Sequence, residues 1–251
     1  MTHRAIDEGR VSRRWIRLGM WSTAAIAVPL VAAHALLPWY TLRAARNDER
    51  NASLPGDEIV PGPETCYTMA VTIRAAASAI WPWLVQMGQG RGGFYTHEWI
   101  ENLLGANIHN ADRIVATWQQ LEVGDRIRLT PDPYLGQPGQ VMIVAEIQPA
   151  RALVFRQTLP NGSPASWAFL LLPQDDGTTR VIMRRRGGRP TVFDRVMSPG
   201  YVLMDRGMLR GLRERVEGIA IRDHRGMVPD RDSRLRDGHL IDGDYASVDE
   251  A

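Results

Sequence analysis

Two short stretches of this 251-residue chain concentrate side chains capable of chemistry. In the first, His97-Glu98-Trp99-Ile100-Glu101, His97 and Glu101 stand four residues apart and would share one face of a helix. A zinc-protease helix carries a second histidine where Glu101 stands, and no histidine cluster elsewhere supplies the missing ligands. The pair reads as a solvated helix face, and no metal is expected. The second stretch holds His109, Asn110, Asp112 and Arg113. Two readings of it stay open: a loop tied down by side-chain-to-backbone hydrogen bonds, and a polar anchor inside an apolar pocket. A histidine can serve as a general base, but nothing near His109 offers a nucleophile or an oxyanion partner, so no catalytic residue is assigned.

Composition removes other chemistries. All 30 basic residues are arginine, which excludes a phosphate-loop lysine and a lysine Schiff base. Gly88-Gln-Gly-Arg-Gly-Gly93 is glycine-rich, but its spacing is wrong for a dinucleotide loop and it follows a helical pattern rather than a strand. No cofactor is expected. The stretch reads as a connector, or as a rim where Arg91 could meet an anionic head group. Cys66 is the one cysteine, so there is no internal disulfide framework; at a strand start it reads as a small core residue. A net charge of +2 does not argue for nucleic acid. Arg184, Arg185 and Arg186 read as a solvated face near lipid head groups.

The elements that must position these residues follow from periodicity. Cys66–Arg74 reads as a strand, Ala75–Met87 as a helix ended by Gly88, and Tyr95–Leu104 as a second helix with Tyr95, Trp99 and Leu103 on one face. Strands are expected at 123–129, 141–147, 152–159, 167–172 and 179–186, separated by hairpin turns such as Pro160-Asn161-Gly162 and Asp175-Asp176-Gly177. A long helix follows, with Ser198 as its cap, Pro199 in its first turn and a stripe from Val202 to Ile219. The fold class expected is α+β, an antiparallel sheet covered by the C-terminal helix.

Outside that body, Leu18–Tyr40 is an apolar run of 23 residues without Asp, Glu or Arg, flanked by Trp15, Trp39 and Tyr40. It is long enough for a transmembrane helix, at roughly 34 Å. A cleaved signal peptide is the alternative, with Ala33-His34-Ala35 as a cleavage site. Five arginines precede the run and three follow, which places the main domain outside the cytoplasm. The segments are then a basic stretch at 1–17, the apolar run at 18–40, a polar linker at 41–63, the domain at 64–221 and a disordered charged tail at 222–251.

The order strand, two helices, five strands, long helix resembles the helix-grip fold of the START-like (SRPBCC) superfamily, which includes polyketide cyclases and lipid-transfer domains. The resemblance is to a membrane-anchored bacterial subgroup. It is carried by 54–60 (Leu-Pro-Gly-Asp-Glu-Ile-Val), by the stretch from Trp81 to Tyr95, by 108–114 (Ile-His-Asn-Ala-Asp-Arg-Ile) and by 123–126 (Val-Gly-Asp-Arg), and it covers residues 54–220. It implies a curved antiparallel sheet around the C-terminal helix and a deep, mostly apolar pocket between them for a hydrophobic small molecule or lipid. The pocket or rim residues then expected are Trp83, Arg91, Phe94, Tyr95, Trp99, His109, Asn110, Arg113, Trp118 and Trp167. Binding, possible transport, is the expected function; a cyclase-like enzyme and an interaction module without a pocket are the alternatives. Nothing in the sequence decides the oligomeric state.

Overall fold

A computed structural model describes residues 45–103, 105–134 and 138–218. The apolar run 18–40 and the tail 222–251 lie outside the described residues. Among the described residues no helix is long and apolar enough to cross a membrane.

Six strands form one antiparallel sheet: β1 (Thr65–Ile73), β2 (Arg126–Arg128), β3 (Val141–Gln148), β4 (Ala152–Thr158), β5 (Pro164–Pro173) and β6 (Thr179–Gly187). Their spatial order is β1-β6-β5-β4-β3-β2, so the first strand closes onto the last. Consecutive hairpins build the order from β2 to β6. Gly162 and Gly177 supply the positive φ that two of the turns require, at 79° and 77°. A register shift between Val144 and Glu146 in β3 marks a bulge, the local device that bends a sheet. The architecture is α+β, with the sheet covered by a C-terminal helix.

That helix starts earlier than Ser198-Pro199 suggests. After α1 (Asn47–Asn51), α2 (Ala77–Val85) and α3 (Glu98–Leu103), it runs as α4 from Val192 to Val216. Thr191 caps it: Thr191 Oγ1 accepts from the Asp194 N–H at 3.1 Å, and the Asp194 carboxylate accepts from the Thr191 N–H at 2.8 Å. This reciprocal pair satisfies the first turn, and Pro199 is accommodated inside the helix.

The segment read as a polar linker is part of the fold. Residues 45–63 form α1 and a single 3-10 turn, Asp57–Ile59, and lie on the face of the sheet opposite α4. Leu54 packs with Val154, Ala168, Leu170 and Ile182, and Ile59 packs against the same group. An antiparallel sheet usually leaves one face to water. Here the middle of β5 and β6 is buried on both faces, because this strap covers the second one.

Three of the four arginines of β6 explain why a polar segment stays there. Arg184 is not solvated: its Nε donates to Thr68 Oγ1 at 3.0 Å, Nη1 to Ala52 O and Asp57 Oδ2 at 2.7 Å each, and Nη2 to Glu49 O and Arg50 O at 2.8 Å each. Those five bonds use every N–H of a guanidinium. Arg186 holds Val60 O at 3.0 Å and Asp57 Oδ1 at 3.0 Å, and Arg180 forms a fork onto both oxygens of Glu49 at 2.7 and 2.9 Å. The expectation of a solvated basic face is therefore corrected: these side chains bind the strap. Cys66 is exposed rather than a core residue.

Candidate functional site

The face of the sheet under α4 is built from the other parity of the same strands. Tyr67, Arg185, Trp167 and Phe155 stand side by side across β1, β6, β5 and β4. Behind them lie Met69, Met183, Phe169 and Leu153. Trp167 is the centre of an aromatic group, with ring centroids 4.9 Å from Phe169, 6.2 Å from Phe94 and 6.4 Å from Phe155. The Arg185 guanidinium lies 3.7 Å above the Trp167 ring, a cation–π contact.

One polar cluster interrupts this apolar surface. Asp205, on the buried stripe of α4, accepts from Arg185 Nη2 at 2.8 Å and from the Tyr67 hydroxyl. Burial pushes the Tyr67 phenol well above its ordinary range, and the Asp205 charge adds to this, so Tyr67 stays protonated and donates. Burial alone would lower the Arg185 pKa; Asp205, followed by Tyr67, outweighs it and the net shift is upward. The pair is thus a charge-balanced unit. Two donors beside it stay unused: Arg185 Nε and Trp167 Nε1 are buried and meet no acceptor among the described residues. Arg185 nevertheless keeps 31% of its side-chain surface accessible beneath α4.

The pocket residues expected from sequence separate into three groups. Trp83, Phe94, Tyr95 and Trp167 do come together in the interior. Trp83 meets Tyr95 edge-on at 5.8 Å, and the Tyr95 hydroxyl donates to Trp83 O at 2.7 Å. Arg91, Asn110 and Trp118 instead hold backbone together. Arg91 Nη2 reaches Val85 O at 3.2 Å and Trp118 O at 2.7 Å, so it is turned to backbone carbonyls rather than held at a rim, while its Nε is buried without a partner among the described residues. Asn110 Oδ1 accepts from Phe94 N at 3.1 Å and Tyr95 N at 2.6 Å, while its Nδ2 donates to Thr96 O at 3.0 Å. The loop-tying reading of this stretch is the one observed. Trp99, His109 and Arg113 are exposed and line no interior surface.

Trp99 moves outward because Tyr95 does not belong to α3. Its φ of 61° is left-handed and breaks the helix expected from Tyr95 onward. The shortened α3 leaves Trp99 71% and Leu103 79% exposed. Glu101, read as half of a solvated pair, is 3% exposed, and neither carboxylate oxygen has a hydrogen-bond partner among the described residues. Burial raises its pKa; Thr96 opposes this and Glu98 adds to it. No group of three or more metal-ligating side chains occurs among the described residues.

Sequence reasoning missed Arg185, Asp205 and Tyr67 as a cluster. A signal existed: in three consecutive arginines on a strand, both parities are occupied, so at least one guanidinium must enter each face. Asp205 was also the one charge in an apolar helical stripe.

A cleft of 360 Å3 opens on the opposite face, lined among others by Arg50, Asp57, Cys66, Arg184 and Arg186. Its arginines are the ones already bound to the strap, so it offers little unspent hydrogen-bonding capacity.

No family model and no curated protein matches the chain. Among solved structures, the chain is similar to protein MLL2253 from Mesorhizobium loti at 19% identity, covering 60% of this chain and 97% of that one with a TM-score of 0.37. It is similar to a Rhodobacter sphaeroides protein at 16% identity, over 63% and 96% of the two chains, with a TM-score of 0.44. It is also similar to DynU16, encoded in the dynemicin biosynthetic locus, at 12% identity over 60% of this chain and 48% of that one, TM-score 0.36.

Proposed function

We propose that this chain binds a hydrophobic small molecule between the sheet and α4, and that a neutral acceptor on the ligand, such as a carbonyl oxygen, meets Arg185 Nε and Trp167 Nε1. The observation that carries the reading is that pair of buried, unused donors in the row facing α4. A buried donor left unmet costs on the order of 1–3 kcal/mol, so an acceptor delivered by a ligand recovers free energy that the chain alone forgoes. The acceptor is neutral because Arg185 and Asp205 already balance, and a third charge would be buried uncompensated. The apolar walls come from Phe94, Phe155 and Phe169. An anchor at residues 18–40 would hold such a domain at the bilayer, where ligands of this kind partition.

A second reading, an interaction module with a filled core, is favoured by one observation: the inner-face rings already contact one another around Trp167. Native mass spectrometry and organic extraction of the full-length chain, purified in mild detergent, separate the two. Ligand binding predicts a co-purifying apolar molecule with a carbonyl group, and about tenfold weaker retention in Trp167→Phe, which keeps the ring and removes the N–H. A chain that is empty and takes up no apolar fluorescent probe overturns the binding reading.

A further inference from the structure

The outward face of α4 has a composition that solvent does not explain. Its exposed residues are Val192, Arg195, Val196, Leu203, Arg206, Arg210 and Arg213. Every one is either apolar or arginine, and none is acidic. Val192 is 79% and Leu203 56% exposed. Asp194 is engaged in the N-terminal cap and Asp205 beneath the helix, while the half-buried Glu214 pairs with Arg210 at 2.7 Å and the buried side chain of Glu217 with Arg213 at 4.0 Å.

The same surface continues onto α3. His97, just before α3, packs on α4 so closely that a Cβ at Gly207 would lie 3.4 Å from its ring. From there α3 turns Trp99 and Leu103 outward, four residues apart on one face, while burying Glu101. A short helix that exposes its tryptophan and leucine and hides its carboxylate has its polarity reversed with respect to water.

We infer that the exposed face of α4, extended by Trp99 and Leu103, is a docking surface for an anionic lipid bilayer. Arginine beside aliphatic and aromatic side chains is the composition of an interfacial helix: the guanidinium heads reach lipid phosphates while their stems and the apolar residues enter the head-group boundary. Tryptophan is enriched at that depth. A second copy of the chain is the poorer occupant, since a two-fold interface would set the four arginines of each copy against each other, and the nearby carboxylates, Glu214 and Glu217, are already paired with Arg210 and Arg213 of their own chain. The surface is distinct from the Arg185–Trp167 site, which lies beneath the helix.

The single cysteine makes a position-specific test practical. In a full-length Cys66→Ser chain, cysteine is introduced as Trp99→Cys, Leu203→Cys or Asp175→Cys, the last on the remote β5–β6 turn, and labelled with an environment-sensitive fluorophore. Each is mixed with phosphatidylcholine vesicles with or without phosphatidylglycerol, carrying a doxyl quencher. Labels at 99 and 203 are expected to shift to the blue and to be quenched in the anionic vesicles, while the label at 175 stays water-like. Arg206→Gln and Arg210→Gln should each reduce the docked-to-undocked ratio by about fivefold. Water-like emission at 99 and 203 in anionic vesicles overturns the inference. So does an equal shift at 175, or a shift in lipid-free detergent that grows with protein concentration, which would assign the face to a second copy.

Discussion

Arg184 and Asp57 are 127 residues apart in sequence and meet at 2.7 Å, with the arginine side chain almost wholly buried. Asp57 also accepts from the Leu54 N–H at 3.0 Å, so one carboxylate closes the strap turn and ties it to the sheet. Removing Arg184 would leave that carboxylate and three backbone carbonyls facing an apolar surface. Arg184→Met is expected to cost about 3–5 kcal/mol, the scale for breaking one side of a buried pair. Arg184→Lys should recover little, since an ammonium has three donors and no planar fork. Urea unfolding checks both through the shift in midpoint. A midpoint within error of the parent would show that the strap adds nothing to stability.

Glu49 makes the strap acid-sensitive. Burial works to raise its pKa, but the Arg180 hydrogen bonds, the Arg46 N–H and both arginine charges outweigh it, and the folded value lies below the ordinary 4.5. A carboxylate with a depressed folded pKa contributes stability above its unfolded value, and that contribution disappears as pH falls through the folded one. Amide protection in residues 47–57, relative to the intrinsic exchange rate at each pH, should therefore fall below pH 4.5 ahead of that in β5. In Glu49→Gln the acid dependence of that segment should flatten. If exchange at 47–57 tracks β5 at every pH, the strap does not open separately.

Much of this fold was legible from alternation and turns. The strands at 141–147, 152–159 and 179–186 were placed within a few residues because their apolar periodicity is strong and Gly162 and Gly177 mark the hairpins. The strap was not legible. Leu54, Ile59 and Val60 are too few and too scattered to show a period, and what holds them is a set of arginines whose partners are mostly backbone carbonyls, which leave no trace in sequence. The expected start of α3 failed for a tertiary reason: Asn110 Oδ1 holds the Phe94 and Tyr95 N–H groups, and this long-range clamp overrides the spacing of Tyr95, Trp99 and Leu103. Of the candidate site, the aromatic wall of Trp83, Phe94, Tyr95 and Trp167 could be read. The charged centre could not, since pairing Arg185 with Asp205 requires knowing which face of β6 lies under α4.

Glu101 should destabilise the native chain at neutral pH. Its folded pKa is raised, mainly by burial, so the folded state holds the proton more tightly than the unfolded one. Stability is then highest below the ordinary value of 4.5 and falls as pH rises through the folded pKa. Glu101→Gln keeps the shape and removes the charge. The variant is expected to be more stable than the parent at pH 7 by on the order of 1 kcal/mol, with the two converging in acid. Thermal melts across that range test it. A variant less stable at pH 7 would mean that the carboxylate has a partner in solution.

Gly207 and Gly211 lie one turn apart on α4 and should respond oppositely to alanine. In an open helix the change favours alanine by about 1 kcal/mol. At Gly207 the new Cβ meets only the edge of His97 at 3.4 Å, an ordinary contact, so Gly207→Ala should be neutral or mildly stabilising. At Gly211 the Cβ would fall 1.9 Å from the Tyr95 carbonyl oxygen, a backbone atom of a residue whose N–H is held by Asn110 Oδ1. Helix and loop must separate, which costs about 1–3 kcal/mol as overpacking and more where backbone moves. That displacement loosens Tyr95 from Trp83, so near-ultraviolet circular dichroism should change in Gly211→Ala and not in Gly207→Ala. Equal melting temperatures for the two variants would show that α4 does not rest on the Tyr95 backbone.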